Sequence, residues 1–167
     1  MTIDSALNLD LETIAQQETL LQFQQFDQTT AWIIGLNLKE LCERNGVCVA
    51  IEIRLNRDTV FFYAMPGTTP SNRDWARRKR NTVELLHQSS YAVGLALAKE
   101  QSNLHSSMGL NPRDFASHGG SFPIYVQGVG CVGAVTISGL PQRQDHNYVV
   151  TVLCNFLKKP LDKHSLN

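Results

Sequence analysis

The sequence predicts an α+β fold built on an antiparallel sheet, and two observations carry that prediction. Its β-like runs arrive in adjacent pairs rather than alternating singly with helices, which is the pattern of hairpins and not of a doubly wound parallel sheet. Its apolar residues recur at helical spacing at both ends of the chain and once in the middle, giving N-terminal helices, a central helix and a long C-terminal helix.

Leu9, Leu11, Ile14, Leu20, Leu21 and Phe23 recur through a Gln- and Glu-rich stretch, so residues 9–24 read as an amphipathic helix. Asp27 with Thr29 and Thr30 supplies a capping signal for a second helix, which carries Trp32, Ile33, Leu36, Leu38, Leu41 and Cys42 and stops at Asn45-Gly46. Val47 to Leu55 and Thr59 to Met65 are β-rich and are joined by the turn residues Asn56-Arg57-Asp58, a hairpin. Pro66 to Pro70 breaks the chain, and Ser71 is placed to cap a helix from Asn72 to Lys99 with a break at Gln88-Ser89-Ser90. Residues 100–117 read as a loop with one turn of helix at Pro112 to Phe115, long enough to suggest function. Ser121 to Val126 and Cys131 to Ser138 form a second hairpin around Gln127 to Gly130, and Val149, Val152, Leu153, Phe156 and Leu157 stripe a last helix over residues 142–159.

At 167 residues the chain is the size of one domain, 1–167, with residues 1–26 as a helical extension. Fifteen basic side chains balance fifteen acidic ones, so neither nucleic acid nor a membrane surface is an expected partner. The charge is uneven: residues 1–30 carry Asp4, Asp10, Glu12, Glu18 and Asp27 with no Lys or Arg, whereas Arg73, Arg77, Arg78, Lys79 and Arg80 cluster. The two segments are candidates to meet within a protomer or across an interface. On helical geometry Arg73, Arg77 and Arg80 share one side and Lys79 lies near Trp75. Cys42, Cys48, Cys131 and Cys154 have apolar neighbours and no zinc-type spacing, which makes them reduced core residues. The start lacks a signal-peptide pattern and no run is long enough to span a bilayer, so the expected location is cytoplasmic.

Gly128 to Gly133 satisfies the G-x-G-x-x-G spacing, yet a strand follows it where a dinucleotide site needs a helix. The stronger candidates are two glycine corners. His118-Gly119-Gly120 precedes one strand of the second hairpin, and Ser138-Gly139 with Asp145-His146 follows the next, so both corners fall at one end of the sheet. Backbone N–H groups at such a corner can converge on an anion, beside an imidazole. With Trp75, Arg78 and Lys79, these residues (His118, Gly119, Gly120, Asp145 and His146) form a candidate ligand site. No catalytic or metal-binding constellation stands out: the thiols sit in apolar elements and the histidines at 87, 105, 118, 146 and 164 lack zinc spacing.

Trp75 with Arg78-Lys79, Asn81-Thr82-Val83, Ser89-Ser90-Tyr91, Gly94, His118 to Ile124, Gly128 to Gly133, Ser138 to Gln142 and Asp145-His146 together resemble the uncharacterised protein family numbered 0303. That family is labelled as containing a haem-degrading-type domain, and the pattern resembles the GlcG/HbpS superfamily more remotely. The resemblance implies an α-β-α sandwich around a central antiparallel sheet and a homo-oligomer. It implies haem as a cofactor only through remote relatives, and no haem ligand carries over residue by residue. The expected function is small-molecule or partner binding at the glycine-rich loops. Tetrapyrrole binding or breakdown, and a non-catalytic assembly role, are the alternatives.

Overall fold

The computed structural model describes residues 3–161, 165 and 166, without the side chains of residues 3 and 4. The side chain of Asp4 and the whole of His164 lie outside the described residues. The elements are α1 (Ile3–Leu20), β1 (Gln22–Phe23), α2 (Gln28–Arg44), β2 (Ala50–Leu55), β3 (Asp58–Ala64), α3 (Pro70–Leu86), α4 (Ser90–Lys99), α5 (Leu104–Met108), β4 (Ser121–Val126), β5 (Gly130–Ser138) and α6 (Gln142–Leu157). The sheet runs β1-β4-β5-β2-β3. Both expected hairpins are present and are joined antiparallel through β2 and β5, and the two-residue β1 adds a parallel edge beside β4. Two residues are too few to show a strand period.

Local chemistry explains most boundaries. Asp27 Oδ1 accepts from Thr30 N–H at 2.7 Å and starts α2. Asn56 and Arg57, at φ +50° and +67°, make the left-handed two-residue turn that suits a twisted hairpin. The cap of α3 is Thr69 rather than Ser71: Thr69 N–H donates to Asn72 Oδ1 at 2.9 Å, and Pro70 takes the first helical position. The expected break falls at His87, which is left-handed at φ +57°, and Ser89 then caps α4. The loop holds a helix that apolar periodicity does not reveal, α5, whose start is capped by Asn103.

The alternation of strand residues separates two faces. Ile51, Ile53, Phe122, Ile124, Val135 and Ile137 are buried with Ile34, Leu38, Val149, Val150 and Leu153 of α2 and α6 in the main core. Each such side chain contributes about 1.5–3 kcal/mol. Glu52, Arg54, Ser121 and Thr136 point the other way, beneath α3. There Arg80 is buried rather than on a solvated side with Arg73 and Arg77, because it lies 3.4 Å from Glu52 while Arg54 meets Glu84 at 3.0 Å. The sheet thus lies between helical layers of opposite character.

Helix α1 lays Ile14 against Tyr91 and Leu95 of α4. Among the described residues of the protomer its acidic side meets Arg143, which donates to both oxygens of Asp10 at 2.6 and 3.0 Å, rather than the Arg73 to Arg80 segment. Cys42 and Cys154 are buried, but Cys48 is exposed because β2 begins only at Ala50. No described helix is long and apolar enough to cross a membrane. Gly133 has no room for a side chain: a Cβ there would lie 1.9 Å from Arg54 O of the neighbouring strand. Gly133→Ala is expected to pry β5 from β2 and cost about 1–3 kcal/mol in urea unfolding; an unchanged midpoint would contradict this.

Candidate functional site

The sheet end where β5 finishes and β4 begins is braced by one buried ion pair. Lys79, on the sheet-facing side of α3, spends all three protons: Nζ donates to Gly119 O at 2.9 Å, to Ile137 O at 2.9 Å and to Asp145 Oδ2 at 2.8 Å. Asp145, in the first turn of α6, also accepts from Gly139 N–H at 3.4 Å and Leu140 N–H at 3.1 Å. Their side chains are 4% and 2% exposed. Burial pushes the Asp145 carboxyl up and the Lys79 ammonium opposes it; burial pushes Lys79 down and Asp145 opposes that. The pair pins α3, both glycine corners and α6 to one point, so its first role is structural.

The glycines belong to the same brace. Gly120 sits at φ +126°, and a Cβ there would come within 2.6 Å of both Lys79 Nζ and Ile137 O. A Cβ on Gly119 would meet Gln142 O at 2.2 Å. These two residues let the chain between α5 and β4 close down on Lys79 and the start of α6.

Above the brace lies a cleft of about 310 Å³, lined by Asn72, Trp75, Lys79, His118, Gly119, Ser138, Gly139, Leu140, Gln142 and Asp145. Its wall is an aromatic pair: the Trp75 and His118 rings meet edge to face with centroids 4.9 Å apart. Arg78, held by Asp74 at 3.0 Å, stacks its guanidinium 3.8 Å from the indole centroid. Burial, helped by the positive charges of Lys79 and Arg78, lowers the His118 pKa, so this imidazole is neutral at pH 7 although its outer side is exposed. Trp75 and His118 also wall a second hollow of about 220 Å³, lined with Arg78, Leu104, His105 and Phe115.

The structure therefore brings Trp75, Lys79, His118, Gly119 and Asp145 to one cleft, with Gly120 beneath it and Arg78 behind the indole. It does not bring His146 there. That side chain is 0% exposed, lies 2.7 Å from Gln17 Oε1, and contacts the rings of Tyr91 and Phe122. It follows Asp145 in sequence, but one helical step of about 100° turns it toward α1 and α4 instead. Burial pushes its pKa down to about 3. Sequence reasoning leaves Asn72, Ser138, Gly139, Leu140 and Gln142 outside the site. The Ser138-Gly139 corner signals four of them, whereas only the fold brings Asn72 alongside. His105 lies on α5, whose Asn103 cap and Gly109 stop are its sequence signals, and Phe115 lies in the loop after it.

A mixed five-stranded sheet between helical layers, with a glycine-cornered cleft at one end, places this chain among the HbpS/GlcG-like α-β-α sandwich proteins. The chain belongs to the HbpS-like family, described as "Haem degrading protein HbpS-like", whose family model matches residues 26–153. A UPF0303 protein of Azotobacter vinelandii (strain DJ / ATCC BAA-1303) is 49% identical over 161 residues, 96% of this chain and 97% of the relative. Among solved structures, Ybr137w superposes with a TM-score of 0.81 at 25% identity, covering 89% of this chain and 87% of that one. HbpS superposes with a TM-score of 0.64 at 19% identity, covering 81% and 92%.

Proposed function

We propose that this chain is a cytoplasmic, homo-oligomeric binding protein, one domain with residues 1–26 as a helical extension, that holds a small molecule in the Trp75–His118 cleft. The observation that carries the reading is the aromatic pair: a half-buried indole and an exposed neutral imidazole form the wall of an open cleft over a rigid floor. A volume of about 310 Å³ falls at the small end of ligand sites, roughly 300–1,000 Å³. Binding is favoured over catalysis because Lys79, the natural proton donor or nucleophile here, has every N–H engaged. Native mass spectrometry of freshly purified protein is expected to show one defined oligomer carrying extra mass. Trp75→Ala and His118→Ala should lose that mass while keeping the oligomer and the melting temperature. A bare wild-type protein, or the same mass in both variants, would overturn the reading.

A tetrapyrrole is the second reading, favoured by the hollow behind the wall and by the family description. His118 and His105 offer imidazole ligands, with Leu104 and Phe115 as apolar surface beside them, so the donor types suit haem iron. Neither hollow alone exceeds the small end of ligand-site volumes. Haem titration into the same preparations separates the readings. A shifted Soret band that disappears in His118→Ala supports haem, and an unshifted spectrum removes it.

A further inference from the structure

We propose that the molecule held in the cleft is a small carboxylic acid with a flat body, its carboxylate set against Ser138 and the start of α6; this rests on the cleft being a binding site. The amide and carboxylate oxygens of the cleft's side chains are already occupied. Asn72 Oδ1 is taken by Thr69 N–H at 2.9 Å, and Gln142 Oε1 accepts from Gly119 N–H at 3.4 Å. The Asp145 oxygens are taken by Lys79, Gly139 and Leu140. Among the described residues the side-chain amide N–H groups of Asn72 and Gln142 and the hydroxyl of Ser138 have no partner. The cleft's side-chain amide and carboxylate oxygens are therefore engaged internally, and donors are left over.

Ser138 is the most telling of these groups. It is 5% exposed, and in β5 it shares a face with Thr136, the face beneath α3. Its hydroxyl is thus directed toward the cleft with nothing to bond. The hydroxyl is open to the cleft, so a bound acceptor would take the place of water there. The start of α6 adds to this independently: Pro141 has no side-chain cap, and Gln142 N–H has no acceptor among the described residues. Asp145 would ordinarily satisfy the positive end of the helix, but Lys79 neutralises it. What remains is a donor-rich recess with a residual positive potential, matched by a carboxylate. The edge-to-face Trp75 and His118 rings above it suit a planar aromatic or conjugated body.

The test uses benzoate, its neutral isostere benzamide, and inorganic phosphate as probes, titrated into the full chain carrying Trp32→Phe. Trp32 is 58% exposed on α2, away from the cleft, and the chain has two tryptophans, so Trp75 alone then reports by fluorescence. Benzoate is expected to saturate the signal and to bind at least about tenfold tighter than benzamide, since an amide N–H would face donors. The isosteric Ser138→Ala is expected to weaken benzoate about tenfold without moving the melting temperature. Equal affinity for benzamide would overturn the carboxylate inference and leave the binding site standing, whereas phosphate binding without benzoate would overturn the flat body. Benzoate affinity unchanged in Ser138→Ala would overturn the anchoring. No response to any probe, with no shift in the Ser138, Gly139 and Gln142 amide resonances, would overturn the inference and the binding-site reading together.

Discussion

Asp145→Ala is expected to destabilise the protein by about 3–5 kcal/mol, the cost typical of breaking a buried ion pair from one side. Lys79 would keep its contacts to Gly119 O and Ile137 O, but its charge would have no counterion in a site where the side chain is 4% exposed. The backbone N–H groups of Gly139 and Leu140 would lose their acceptor at the same time. Since small domains have only about 5–15 kcal/mol in hand, this one change would remove a fifth or more of the stability. The loss is read from the urea midpoint at pH 7 with an unchanged slope.

The pair's electrostatics, not only its packing, should account for that loss. The double variant Lys79→Met/Asp145→Asn removes both charges and keeps an acceptor for Leu140 N–H. It should recover more than half of the loss, because two apolar or neutral groups of similar volume replace a buried pair at little cost. A loss below about 1 kcal/mol in Asp145→Ala would place the pair among solvated ion pairs and contradict its burial. Cleft binding should fail in Asp145→Ala before the protein unfolds, because Leu140 and Gly139 line the cleft and are held by this carboxylate.

The residues that make this brace were partly legible in the sequence. Paired β-runs and the Gly119-Gly120 corner placed both ends of the second hairpin together, so Asp145 and His118 fell at one sheet end. Lys79 was legible as the base near Trp75 and as a candidate site residue, but not as a buried brace, because helical spacing does not tell which side of a helix the sheet will cover when both sheet faces are occupied. Arg80 shows the limit: charge predicts solvent, yet Glu52 and Glu84 draw it beneath α3. His146 shows another. Adjacent positions on a helix point about 100° apart, so Asp145 and His146 could not both enter one cleft. Sequence adjacency concealed that.

That buried histidine carries the second large effect, a loss of stability on mild acidification. Its folded pKa is pushed down to about 3 by burial, with the Arg143 charge adding to the effect, against about 6.5 in the unfolded chain. The folded value is the depressed one, so the stabilisation is fully present above about pH 6.5 and is lost as pH falls toward 3. Between those limits only the unfolded chain takes up the proton, at about 1.4 kcal/mol per pH unit, which amounts to about 2 kcal/mol by pH 5. Glu18, Glu52, Glu84 and Asp145 work in the opposite direction, since burial raises their pKa values and the folded state protonates first. The informative quantity is therefore the difference between wild type and His146→Gln, a variant that keeps a donor for Gln17 Oε1. The wild-type urea midpoint should fall more steeply than that of the variant from pH 6.5 to 5, and the wild-type imidazole resonances should stay unshifted over that range. Parallel curves, or an imidazole that titrates near pH 6, would mean that His146 reaches solvent. The contact at 2.7 Å with Gln17 ties α1 to α6, so acidification should also release the N-terminal helix first, detectable as early hydrogen exchange in α1 while the sheet stays protected.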